Sequence, residues 1–80
     1  MDDVSRRLTK CFQVVFPNLP EAEVALASQS SIETWDSIAT ITLGNVIEEE
    51  FSVTMDFEIL PELNSFDGML AWVRSQAKAA

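Results

Sequence analysis

Histidine is absent from this 80-residue chain, cysteine occurs once, glycine twice, and no lysine or arginine lies between Lys10 and Arg74. Each shortage closes off a class of chemistry. Without histidine there is no Ser-His or Cys-His nucleophile pair. One cysteine, Cys11, allows no intramolecular disulfide and fits a reducing compartment. Two isolated glycines, Gly44 and Gly68, cannot build a glycine-rich phosphate loop. No uncharged run approaches the ~20 apolar residues of a membrane span. The opening MDDVSRRLTK is charged and has no apolar stretch, so no signal peptide is expected and the cytoplasm is the expected location. Glu48, Glu49 and Glu50 are consecutive and point different ways on a helix, which is a poor metal site. No residue set for hydrolysis, transfer or redox chemistry is assembled, and the chain is expected not to be an enzyme.

What is present is an acidic, moderately apolar chain of one-domain size, residues 1–80, with 48% hydrophobic residues and a net charge of −8. The five basic residues sit at the two ends: Arg6, Arg7 and Lys10, then Arg74 and Lys78. The segment between is negative throughout. A field of one sign repels nucleic acid and speeds encounter with basic protein surfaces; it also keeps a small protein soluble.

Apolar spacing divides the chain into helices. Val4, Leu8, Cys11, Phe12 and Val15 form one stripe of an amphipathic helix over about 2–15, which Asp2 or Asp3 can cap and Pro17 stops. A long connection from Pro17 to Trp35 follows. Leu19, Val24, Leu26 and Ile32 are expected to pin it to the core, and EAEVALAS to form a helical turn. Segment 37–51 is ambiguous locally, since ATITL and FSVTM alternate like strands. Over the longer window Leu43, Val46, Ile47 and Phe51 share one side, while Ile38, Thr42, Asn45 and Glu49 share the other. This predicts a helix with FSVTM as an extended exit. Segment 56–63 contains Pro61 and allows at most one or two helical turns. Ser65 caps a last helix carrying Phe66, Met69, Leu70 and Val73, with SQAKAA expected to fray. The expectation is an all-α bundle of three longer helices and one short one, with a long loop between the first two.

One position stands out chemically. Ser37 follows Asp36 at the start of the acidic helix. A serine there is most often an N-cap. The same position also suits a phosphate ester, because a helix N-terminus offers unpaired N–H groups and partial positive charge. Ile38 and Ile41 lie beside it with Glu48 and Glu49 around them, an arrangement that reads either as scattered surface isoleucines or as a docking patch with an apolar centre and charged rim. Cys11, in the first apolar stripe, reads as a buried thiol.

The run Trp35-Asp36-Ser37-Ile38, the aliphatic segment to Ile47, Glu48-Glu49-Glu50-Phe51, Val53, Met55, Leu63-Asn64-Ser65-Phe66 and Trp72-Val73 resembles the acyl carrier proteins. The likeness covers Asp36 to Val73 without an obvious gap; the first helix matches only in period and length. It implies an antiparallel four-helix fold and a monomer. It implies 4'-phosphopantetheine, donated by coenzyme A, on Ser37 through a separate magnesium-dependent phosphopantetheinyl transferase. Asp36 and Ile38 match positions recognised by that transferase. Glu48 and Glu49 match acids that meet basic patches on partner enzymes of the acyl-loading, ketosynthase or acyltransferase type. The chain would carry acyl thioesters in fatty-acid, polyketide or related biosynthesis. Glu33-Thr34-Trp35 replaces the usual Leu-Gly-x, and Ala39 and Thr42 replace frequent acids, which is similar to stand-alone carriers of specialised pathways. Leu43, Val46, Ile47, Met55, Leu63 and Met69 either line an acyl pocket or are plain core. Two further readings stay open: an aminoacyl or peptidyl carrier, and an acidic helical adaptor without a cofactor.

Overall fold

The computed structural model describes residues 3–56 and 58–79, with the side chains of the final helix described as far as Gln76. Among these, four α-helices and no strand are found: α1 Asp3–Val15, α2 Glu21–Val24, α3 Ser37–Phe51 and α4 Phe66–Ala79, with a single 3-10 turn at Leu60–Glu62. The small all-α bundle expected from the apolar spacing is therefore present. The short α-helix is α2, within the first connection, while segment 56–63 tightens only to the 3-10 turn that Pro61 permits at its start.

α1 buries Leu8, Cys11 and Phe12, the stripe read from the sequence, together with Ser5 and Thr9. These two hydroxyl residues are tolerable inside because both are satisfied: Thr9 donates to the Ser5 carbonyl at 2.8 Å, and Arg74 donates to Ser5 Oγ at 3.2 Å. Of the two candidate caps of α1, Asp2 lies outside the described residues, and Asp3 is the first helical residue, 3.9 Å from Arg7 one turn on. Phe12 is the centre of the core. Its ring meets Trp35 at 5.5 Å and Phe66 at 5.2 Å, both edge-on, and Phe16 at 6.3 Å. Trp35 precedes α3 and Phe66 begins α4, so one α1 side chain gathers the starts of the other two long helices.

The same contacts give the helix directions. The C-terminal half of α1 lies against the beginnings of α3 and α4. Its N-terminal half reaches their far ends, Arg7 to Glu50 at 2.7 Å and Ser5 to Arg74. α1 therefore runs against both, and α3 and α4 point the same way, so the expected antiparallel arrangement holds for α1 against each of them and not for α3 against α4. A parallel pair needs a return path, which residues 52–65 supply. α3 closes on Ser52 in the left-handed region (φ 54°), with the Val53 N–H reaching back to the Glu48 carbonyl at 3.3 Å. Segment 53–55 then exits without helix, as the alternating FSVTM suggested.

α3 buries Leu43, Gly44 and Ile47, with Val46 and Phe51 half-buried. The side chosen by the 3.6 period is thus the inner one, and the strand-like alternation of ATITL does not prevail. Gly44 has a packing reason: a Cβ there would lie 3.1 Å from Met55 Sδ and 3.4 Å from a Leu60 methyl. Its small size lets the 52–65 return segment lie directly on α3.

Two expectations need correction. Leu26 does not pin the first connection, being 81% exposed. After α2 the inward positions are Val24 and Ala27, three apart, so Leu26 between them turns outward; the Ala27 carbonyl also accepts the Phe66 N–H at 2.9 Å. Leu19 and Ile32 do pack against the core. At the other end, α4 does not stop before SQAKAA but extends through Ala79, consistent with the good helix formers in that stretch. Its start is as read from the sequence: Ser65 Oγ accepts the Gly68 N–H at 3.0 Å.

Candidate functional site

The start of α3 is built by Asp36. Its backbone is extended (φ −100°, ψ −171°), and its Oδ1 accepts the Ala39 N–H at 2.8 Å. This is N-cap geometry, for which aspartate is among the best residues. The cap is therefore Asp36, and Ser37 is the first helical residue. The competing role for Ser37 is filled by its neighbour. Ser37 is exposed, and its hydroxyl makes no hydrogen bond among the described residues. The N–H groups of Ala39 and Thr40 are both taken, by Asp36 Oδ1 and by the Asp36 carbonyl. Those of Ser37 and Ile38 remain as the orphan donors of the helix end, where anions are favoured.

Behind this turn sits Trp35, 2% exposed, against Phe12 and Phe16. Its Nε1–H donates to Thr40 Oγ1 at 2.8 Å, and that hydroxyl donates to the Asp36 carbonyl at 2.9 Å. No polar atom of the indole is left unsatisfied.

Beside Ser37 opens a cleft of about 460 Å³, lined by Gln29, Ser37, Thr40, Ile41, Leu60 and Pro61. Its wall is largely apolar, with Ser37 and Gln29 contributing polar groups. Of the six residues named from the sequence as pocket or core, Leu43, Ile47, Met55 and Met69 are buried core, Val46 and Leu63 pack partly against it, and none lines this cleft. The cleft lies one layer outward, between α3 and the 3-10 turn.

The outer face of α3 carries Ile38, 75% exposed, and Ile41, 49% exposed. Both are available at the surface beside Ser37. The two glutamates assigned to partner recognition differ. Glu49 is exposed, whereas Glu48 is half-buried and its carboxylate accepts the Met55 N–H at 2.7 Å, clamping the return segment. Glu50 is also engaged, by Arg7, whose guanidinium lies 4.6 Å over the Phe51 ring. Contact with Glu50 raises the Arg7 pKa above its ordinary value.

No protein-family model matches this chain, and no curated protein matches it at a significant level. What it does is therefore read from the side chains themselves.

Those side chains hold little chemistry of their own. Cys11 is 2% exposed, and burial, reinforced by Glu50, pushes its thiol up to about 11. That is a core thiol and a poor nucleophile. Asp56 Oδ1 accepts the Glu58 N–H at 2.8 Å, and both residues, like Glu62, are exposed. No cluster of three metal-ligating side chains occurs among the described residues, and no helix there is long and apolar enough to cross a membrane. Thr40, Gln29, Leu60 and Pro61 escaped sequence reading. Thr40 had a signal, since a threonine in the first turn of a helix commonly bonds back four residues. Leu60 and Pro61 reach the cleft through the return segment 52–65, and Gln29 reaches it from the first connection.

Proposed function

We propose that this protein is an acyl carrier that holds a phosphopantetheine arm on Ser37 and presents a thioester-bound acyl group to partner enzymes. The observation that carries the reading is the division of labour at the α3 terminus: Asp36 caps the helix, so the exposed Ser37 hydroxyl is left without a structural task. The residues fit the group. Ser37 Oγ would hold it as a phosphodiester, and the N–H groups of Ser37 and Ile38 are the helix-end donors left for its phosphate. The arm supplies a terminal thiol on which cargo is held as a thioester.

Attachment would form the Ser37 Oγ–phosphorus bond while the pyrophosphate link of coenzyme A breaks and adenosine 3',5'-bisphosphate leaves. The chain offers no histidine to take the serine proton, and one oxygen of the Asp36 carboxylate already accepts the Ala39 N–H. Base and magnesium would come from the transferase. Ile38 and Ile41, with Glu49 at their edge, supply an apolar centre and an acidic rim for docking. Charge-steered, short-lived docking suits a protein that must visit several enzymes, and a tether raises the local concentration of cargo at each. The cleft beside Ser37 offers an apolar wall of Ile41, Leu60 and Pro61 to the acyl group between visits.

The test is intact mass after incubation with coenzyme A, magnesium and a promiscuous phosphopantetheinyl transferase. One added phosphopantetheine is expected, and none on Ser37→Ala. An unchanged mass, under conditions that modify a control carrier, would favour an acidic adaptor that binds through Ile38 and Ile41.

A further inference from the structure

We infer that Trp35 and Thr40 form a positioning pair that sets how Ser37 is presented for modification, an inference that rests on the reading of Ser37 as the attachment site. Ser37 is exposed and makes no side-chain hydrogen bond, so nothing of its own fixes it. Its placement depends on the residues around it, and these are tied by one hydroxyl. Thr40 Oγ1 gives its proton to the Asp36 carbonyl at 2.9 Å and receives the Trp35 Nε1–H at 2.8 Å. The same carbonyl accepts the Thr40 N–H at 3.0 Å. The residue before the cap and the first turn after it are thus joined across Ser37.

The far side of the tie is rigid. Trp35 is 2% exposed, with its ring 5.5 Å from Phe12 and 5.7 Å from Phe16. An aromatic wedge in the core therefore holds the chain where it enters the extended Asp36, and the Thr40 hydroxyl passes that constraint to the helix. Thr40 also lines the cleft that opens at Ser37, so the tie sits at the wall between core and cleft. The Asp36 cap alone would start the helix; it would not fix the approach of the preceding chain. Neither Trp35 nor Thr40 would touch the reacting atoms.

The experiment measures steady-state modification of the full chain by the transferase, well below the unfolding transition. The variants are Thr40→Val, which keeps shape and removes the hydroxyl; Thr40→Ser, which restores it; Trp35→Phe, which removes the indole N–H; and Val73→Ala, a core truncation in α4. Losing a neutral hydrogen bond of this kind predicts that kcat/KM falls about fivefold to tenfold for Thr40→Val and Trp35→Phe. The loss should lie in kcat, with KM within about twofold, because the docking face of Ile38, Ile41 and Glu49 is untouched. Thr40→Ser should recover to within about twofold, and Val73→Ala, though less stable, should match the unmutated chain. An unaffected Thr40→Val, or an equal loss in Val73→Ala, overturns the positioning role while leaving Ser37 as the modified residue. Failure of the unmutated chain to be modified overturns the reading of Ser37 and the positioning role together.

Discussion

Phe12 is where the bundle is most exposed to a single change. It is fully buried, and its ring touches Trp35, Phe66 and Phe16. Truncation to alanine removes a whole aromatic side chain from a closed interior, which costs about 3–5 kcal/mol. An 80-residue domain has a total stability of roughly 4–12 kcal/mol. Phe12→Ala should therefore remove between about a quarter and the whole of it. Phe12→Leu keeps most of the apolar volume and loses chiefly the edge-on pairs with Trp35 and Phe66. At about 0.5–1.5 kcal/mol each these set a loss of about 1–3 kcal/mol. For a domain of this size that is a fall in Tm of roughly 5–20 °C. Urea unfolding followed by far-ultraviolet circular dichroism measures both variants, with the m-value checking that each unfolds in one step. The order expected is unmutated, then Leu, then Ala, with Ala well separated. A Phe12→Ala cost below about 1 kcal/mol would refute the reasoning, because it would mean that the helix starts gathered by this ring are held elsewhere.

Two other outcomes follow from single side chains. Cys11 ionises near 11 in place of the ordinary 9.0, so at pH 8 the folded protein holds about a hundredfold less thiolate than the unfolded chain. Alkylation by iodoacetamide should be at least that much slower than in strong denaturant; equal rates would show Cys11 to be accessible. Because the folded thiol gives up its proton later than the unfolded one, the stability it contributes is complete below about pH 9 and is lost as pH rises towards 11. Glu48→Ala leaves the N–H of the buried Met55 without its acceptor and should cost about 1–2 kcal/mol, whereas Glu49→Ala should stay within about 0.5 kcal/mol. Equal effects in urea unfolding would show that the Glu48 clamp contributes nothing.

Much of this molecule is decided locally and can be read without coordinates. Periodicity is one such property: Leu8, Cys11 and Phe12 in α1, Leu43 and Ile47 in α3, and Phe66, Met69 and Val73 in α4 all face inward as their spacing requires. Caps are another, since Asp36 and Ser65 bond to N–H groups three residues ahead whatever lies beyond. The acidic middle is a count. Ser37 at a helix start, with Ile38 and Ile41 outward, follows from those three facts.

Other features depend on distant segments meeting. Glu48 and Glu49 are identical in sequence terms, and only the return of the chain places the Met55 N–H on the first and leaves the second in water. Leu26 looks like a core residue until α2 turns Val24 and Ala27 inward in its stead. The cleft beside Ser37 joins Gln29, Ile41 and Leu60 from three parts of the chain, and no spacing rule reaches across such separations. The amino-acid sequence by itself determined the helices, their inner faces and the position of Ser37, because those are set by hydrogen bonds and side-chain directions within a few residues. The tertiary structure alone decided which glutamate stays free and that a cleft opens next to the hydroxyl, because both depend on backbone and side chains brought together by packing.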